Sequence, residues 1–180
     1  MKIRQKAVGL AVMIGLLLAA GWPVSAQDSL PLQVRTMQFS AAPTEPPTVE
    51  EAEGTFVFKL SAVGEMTGDM EGTFTQHITQ VHPDVLNASV LNRLLYITTF
   101  FTIETADGTI EGYYAGPFYF PEATLPDATV RQRGQVLSVT AAYADLFMAD
   151  VFYDGIVDFE EVEGNMIGVS DSGTLTIAPR

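Results

Sequence analysis

The sequence predicts an all-β protein, a single antiparallel β-barrel with a β-sandwich as the alternative, and three observations carry that expectation. Beyond residue 54 the apolar side chains recur mostly at every second position, the period of a half-buried strand. Clusters of Gly, Asp and Ser punctuate these runs at hairpin spacing, as turn chemistry requires. The chain has no cysteine, so its core alone must hold the fold. A sheet with one apolar face has to close or pack to bury that face and protect its edges.

The first element is a leader. Lys2, Arg4 and Lys6 precede an apolar or small run from Ala7 to Gly21, Pro23 breaks any helix, and Val24-Ser25-Ala26 supplies small residues. This is the pattern of a secretory signal peptide over residues 1–26, cleaved after Ala26. The run falls short of the roughly 20 apolar residues of a spanning helix. Trp22 follows Leu18-Ala19-Ala20-Gly21, where a lipid-anchored protein would carry cysteine. The expected location is secreted or periplasmic (extracytoplasmic), with no membrane insertion after cleavage.

Residues 27–53 read as a flexible N-terminal segment and linker. Leu30 to Phe39 alternates and predicts a lone strand, but Pro43, Pro46 and Pro47 are followed by Glu50, Glu51 and Glu53. Proline removes backbone donors and like charges repel, so the stretch is expected to be extended. The barrel domain is expected over 54–180.

Within it, Phe56, Phe58, Leu60 and Ala62 alternate with Thr55, Val57, Lys59 and Ser61, and Gly64 to Gly68 reads as a turn. Asp69 to Val81 sets Met70, Gly72, Phe74 and Ile78 on one side, with two amides, Gln76 and Gln80, on that same apolar side. Asp107-Gly108 lies between two β-rich runs and predicts a two-residue type I′ hairpin. That loop places residue 106 opposite 109, Glu104 opposite Glu111, Phe101 opposite Tyr114 and Ile97 opposite Phe118. One face then collects Leu95, Ile97, Phe101, Ile103, Ile110, Tyr114, Phe118 and Phe120; the other collects Thr98, Thr102, Glu104, Thr109, Glu111, Tyr113 and Pro117. A one-residue slip would mix the two sets.

Pro121 to Asp127 reads as a loop, and Val136 to Tyr143 as a strand. Residues 140–152 fit a strand or a short helix, the strand being preferred. Asp154-Gly155 repeats the hairpin signal, and Ser170 to Gly173 reads as a turn into a last strand, Thr174 to Ala178.

Glycine-punctuated segments such as Gly68-Asp69-Met70-Glu71-Gly72-Thr73-Phe74, Thr105 to Gly112 and Ser172 to Ile177 resemble strands of the allene oxide cyclase-like and dirigent-like barrels. The resemblance spans roughly residues 54–178 and lies in strand rhythm and glycine placement. It implies an eight-stranded barrel around an apolar cavity. No active-site residue of that group maps onto a position here, and fold alone does not imply function.

Charge narrows the partners. The full chain carries a formal −13, and removing residues 1–26 leaves six basic against 22 acidic residues, a formal −16. Such a surface repels phosphate backbones, which argues against nucleic acid as a partner and against anionic lipid. The sequence has no Gly-x-Ser-x-Gly elbow, phosphate-binding glycine loop or dinucleotide fingerprint, and no cofactor or metal is expected. His77 and His82 are five apart, a spacing that suits no local chelate on a strand. The acidic run Asp154, Asp158, Glu160, Glu161 and Glu163 lacks EF-hand spacing and reads as a solvated hairpin edge. Glu104 and Glu111, facing one another, would share a proton or a cation if buried, but their threonine neighbours put them on the solvated outer face. Asn87-Ala88-Ser89 matches a glycosylation acceptor.

The candidate site is the barrel interior. Phe56, Phe58, Phe74, Phe101, Tyr114 and Phe118 with Gln76 and Gln80 compose apolar walls with a few polar anchors, the make-up of a small-molecule pocket. Buried amides need partners, so Gln76 and Gln80 should meet a protein group, water or ligand unless they sit at a solvated rim. The leading expectation is a secreted barrel that binds a hydrophobic small molecule. The alternatives are an isomerase or cyclase of the allene oxide cyclase-like type and a structural or adhesive envelope module.

Overall fold

The computed structural model describes residues 32–52, 55–83, 94–119, 127–162 and 165–180. The leader, Asn87-Ala88-Ser89, Phe120 and the loop from Pro121 lie outside the described residues. The strands are β1 (Arg35–Pro43), β2 (Thr48–Ala52), β3 (Thr55–Gly68), β4 (Gly72–Pro83), β5 (Leu94–Glu104), β6 (Thr109–Tyr119), β7 (Asp127–Val139), β8 (Asp150–Val162) and β9 (Asn165–Ala178). Every neighbouring pair is antiparallel. Closure comes from β1, which pairs with β9 on one side and β3 on the other. β1 and β2 lie end to end along the same edge of β3, so they form one interrupted stave of a closed eight-stranded barrel.

That stave corrects the linker reading of residues 27–53 over the described stretch 35–52. Arg35–Pro43 and Thr48–Ala52 are strands of the sheet, and Pro46-Pro47 occupies only the break between them. The Thr44 N–H donates to the Ser61 carbonyl at 2.9 Å, which holds the break against β3. Proline is tolerated where a strand ends or is interrupted, so the same residues that suggest a linker are compatible with a stave.

Three expected turns run straight through strands instead. Gly64 lies inside β3, where an added Cβ would come 1.8 Å from the Ser40 carbonyl oxygen. Gly155 and Gly173 face one another in β8 and β9. A Cβ on the first would meet the Tyr153 hydroxyl at 2.4 Å, and one on the second the Asp154 carbonyl oxygen at 2.3 Å. Glycine is needed at these positions for close approach, a use that in sequence looks the same as a turn signal. The real β3–β4 turn follows Gly68, whose φ of +121° is the left-handed kind. Asp69 Oδ2 accepts the Thr36 N–H there at 2.8 Å.

The β5–β6 connection is also revised. The Thr105 N–H donates to the Gly108 carbonyl at 2.9 Å, closing a four-residue loop 105–108 in which Gly108 has φ +153° and Asp107 is not in the positive region. Glu104 therefore pairs with Thr109, and Glu111 with Thr102. The shift is two residues, not one, so the two faces remain sorted as expected. Ile97, Phe101, Ile103, Ile110, Tyr114 and Phe118 are buried, while Glu104 and Glu111 are exposed.

Residues 141–146 form a 3-10 turn rather than the preferred strand, followed by Met148 with φ 62° and then β8. The turn buries Leu146 and the residue Ala149 completely. It is tied to the 105–108 loop by a 2.6 Å hydrogen bond between Thr105 and Tyr143 hydroxyls. With Met70, these residues stopper this end of the barrel, called here the closed end.

Candidate functional site

Alternation along each strand sends one set of side chains into the lumen, and the lumen is layered. Toward the closed end it is apolar: Met37, Met66, Ile103, Ile110, Val136, Val151, Leu175 and Ile177 are all at or below 1 % exposure. At mid-height lies an aromatic layer. Phe39 packs on Phe74 at 5.2 Å and on Tyr153 at 5.4 Å, Phe74 on Phe101 at 6.0 Å, Phe101 on Tyr114 at 5.8 Å, and Tyr114 stacks on Tyr153 at 4.4 Å. Such contacts add to plain area burial. Gly112 makes room for this layer, since a Cβ there would strike the Phe101 ring at 2.6 Å.

Above the rings lies a polar layer built from four strands. Asp171 of β9, Tyr153 of β8, Tyr114 of β6 and Gln76 of β4 meet in the lumen. The Tyr153 hydroxyl donates to Asp171 Oδ1. Gln76 Nε2 donates to Asp171 Oδ2 at 3.0 Å and to the Tyr114 hydroxyl at 2.7 Å. Thr99 also hydrogen-bonds Tyr114. Gln132, inward on β7, donates to the Gly116 carbonyl at 3.4 Å. The carboxylate beside Gln76 requires the amide nitrogen there, which leaves Gln76 Oε1 as the amide's remaining acceptor. That oxygen is buried without a hydrogen-bond partner among the described residues.

The electrostatics follow from burial. Desolvation pushes the Asp171 carboxyl above the usual aspartate range; the bonds from Tyr153 and Gln76 pull it part of the way back, and Asp158 adds a smaller push upward. Burial and then the Asp171 charge raise Tyr114 and Tyr153 well above ordinary phenols, so both stay neutral. No Lys or Arg pairs with Asp171 among the described residues. An unpaired buried carboxylate costs several kcal/mol, and the Asp171 residue as a whole is 9 % exposed.

Beyond the polar layer, away from the closed end, inward positions are less covered. Phe58, Leu60, Ile78, Gln80 and Val157 are half-buried, whereas Ile97, Phe118 and Val130 are buried. Val157 is the direct partner of Asp171, and Leu60–Ile78 and Phe58–Gln80 are successive pairs.

The sequence-derived site residues thus divide. Phe74, Phe101 and Tyr114 form a packed layer with Gln76 fully buried over it, while Phe58 and Gln80 lie farther along the lumen and Phe118 is buried in its wall. The side chain of Phe56 lies outside the described residues, as does that of His82. His77 is exposed and bonds the Ser61 hydroxyl at 3.0 Å through Nδ1. Among the described residues no cluster of three or more His, Asp or Glu is arranged to hold a metal. Sequence reasoning missed Asp171 and Tyr153, having put one in a turn and the other beside one. The available signal was parity: 171, 173, 175 and 177 share one face, as do 151, 153, 155 and 157.

A groove of about 690 Å³ on the wall runs past Gln38, Phe152, Asp154, Ile156 and Thr174, over the facing Gly155 and Gly173. Its even-numbered lining residues belong to the outer face, and Phe39 of the aromatic layer also lines it.

Fold and site together define an antiparallel barrel stoppered at one end, with a hydrogen-bonded acid inside. No family model matches the chain, and no curated protein and no solved structure matches it either.

Proposed function

We propose that this chain is an exported, acidic barrel that holds a hydrophobic small molecule in the lumen, above the Asp171–Gln76 layer. One observation carries the reading: a buried amide oxygen on Gln76 and the buried carboxyl of Asp171 face a lumen whose next inward positions, Leu60, Ile78 and Val157 and then Phe58, are half-buried and apolar. Apolar walls with a few convergent polar groups, one of them with perturbed ionisation, are the usual composition of a ligand site. The net charge and the leader pattern support export without a nucleic-acid partner, and the strand rhythm of the cyclase-like and dirigent-like barrels supports a lumen with a task.

The test is native mass spectrometry of protein purified from its own host, paired with titration of a fluorescent lipid analogue. A co-purifying small molecule, displaced by the analogue, is the expected result. A single apo mass together with no analogue binding would remove the reading.

A second reading, an isomerase or cyclase, is favoured by the inward placement of Asp171. Burial holds this carboxyl above its ordinary range, which favours its protonated form and suits it to proton transfer with a bound substrate. Turnover that disappears in Asp171→Asn while ligand binding persists would favour this reading over simple binding.

A further inference from the structure

The polar layer also bears on the head group of the ligand. This inference rests on the binding reading above. Gln76 Oε1 is an acceptor with no partner among the described residues, buried in a side chain at 0 % exposure. Beside it, Asp171 accepts one bond at each oxygen among the described residues, from Tyr153 and from Gln76 Nε2. A carboxylate has about four lone-pair sites, so each oxygen retains capacity. Among the described residues Tyr153 and the Gln76 amide nitrogen already donate within the layer, and acceptor capacity remains on Asp171 and on Gln76 Oε1. A ligand with a carboxylate head would meet a second negative charge and the unpaired lone pairs of Gln76, and both contacts are unfavourable.

We propose that the lumen takes an amphiphile with a cationic, hydrogen-bond-donating head, an alkylammonium, whose nitrogen lies between Asp171 and Gln76 Oε1. An ammonium has three donors and no acceptor, which matches the surplus. Its charge supplies the counter-ion that Asp171 lacks among the described residues. Its alkyl tail lies along Phe58, Leu60, Ile78 and Val157, the half-buried inward positions beyond the polar layer. The excess of acidic over basic residues, a formal −13 for the full chain, raises the local concentration of such a cation.

The experiment is calorimetric titration of the native protein at neutral pH with octylammonium, octanol and octanoate, three probes with one tail and different heads. Octylammonium is expected to bind at least about tenfold tighter than octanol, a difference worth about 1.4 kcal/mol, with octanoate weakest. Asp171→Asn should abolish the preference for ammonium and leave octanol binding in place. If that variant fails to fold by circular dichroism, Gln76→Leu carries the test and should shrink the same preference. Glu104→Gln with Glu111→Gln, on the outer face, should leave the preference unchanged. Equal binding of octylammonium and octanol, tightest binding of octanoate, or a preference that survives at Asp171 but vanishes with the outer-face pair would each overturn the head-group inference while leaving a binding barrel. Failure of all three probes would overturn both readings.

Discussion

Tyr153→Phe isolates one bond in the polar layer. Tyr153 is 4 % exposed and its ring stacks on Tyr114 at 4.4 Å; phenylalanine keeps that ring and removes only the hydroxyl that donates to Asp171. When Asp171 is ionised the lost bond is charge-assisted, worth about 1.5–3 kcal/mol; when Asp171 is protonated it is an ordinary bond of about 0.5–1.5 kcal/mol. The variant should therefore cost more at high pH than at low. The sign is fixed by the direction of the Asp171 shift. Its folded-state pKa is raised by burial, so the native state holds its proton more tightly than the unfolded chain. The corresponding stability is complete below the unfolded value of about 3.9 and is lost as pH rises through the folded value. The Tyr153 bond pulls that folded value down; without it the loss should extend to higher pH. Urea unfolding followed by far-ultraviolet circular dichroism, at about pH 3 and about pH 8, gives both costs, and Asp171→Asn with and without Tyr153→Phe gives the coupling. A cost independent of pH, or one persisting undiminished in the Asp171→Asn background, would refute the placement of that hydrogen bond.

Other outcomes follow from the same packing. Deleting residues 35–52 should abolish cooperative unfolding, because β1 closes the barrel between β9 and β3; a linker could be removed with no change in the melting curve. Gly64→Ala should be severely destabilising, since its Cβ falls 1.8 Å from the Ser40 carbonyl oxygen, whereas the nearest atom to a Cβ in Gly116→Ala is in the Gln132 side chain at 3.2 Å, and that variant should be much milder. Denaturation midpoints of the pair test the contrast. Phe74→Ala, which empties the centre of the aromatic layer at 0 % exposure, should cost about 3–5 kcal/mol in the same assay.

Much of the fold was legible in the residues. Alternation assigns inward and outward faces correctly over β5 and β6, although a two-residue Asp-Gly turn gives a pairing two residues out of register. Face assignment depends only on parity, so a two-residue register error leaves it intact. The same error set Glu104 against Glu111, a pairing that the four-residue loop dissolves. Glycine was the less readable residue. At Gly68 and Gly108 it supplies a positive φ. At Gly64, Gly155 and Gly173 it admits a neighbouring backbone or ring, and local sequence does not distinguish the two uses.

The sequence by itself determined the all-β character, the alternating wall, the excess of negative charge and the inward placement of Gln76. Each depends on composition or on neighbours within a few residues. Tertiary structure decided the closure by β1 and the meeting of Gln76 with Asp171, which are 95 residues apart in sequence. Contacts across a lumen depend on how many staves the sheet has and how far each is staggered before the ring closes. That is a property of the whole sheet, and no single strand carries it.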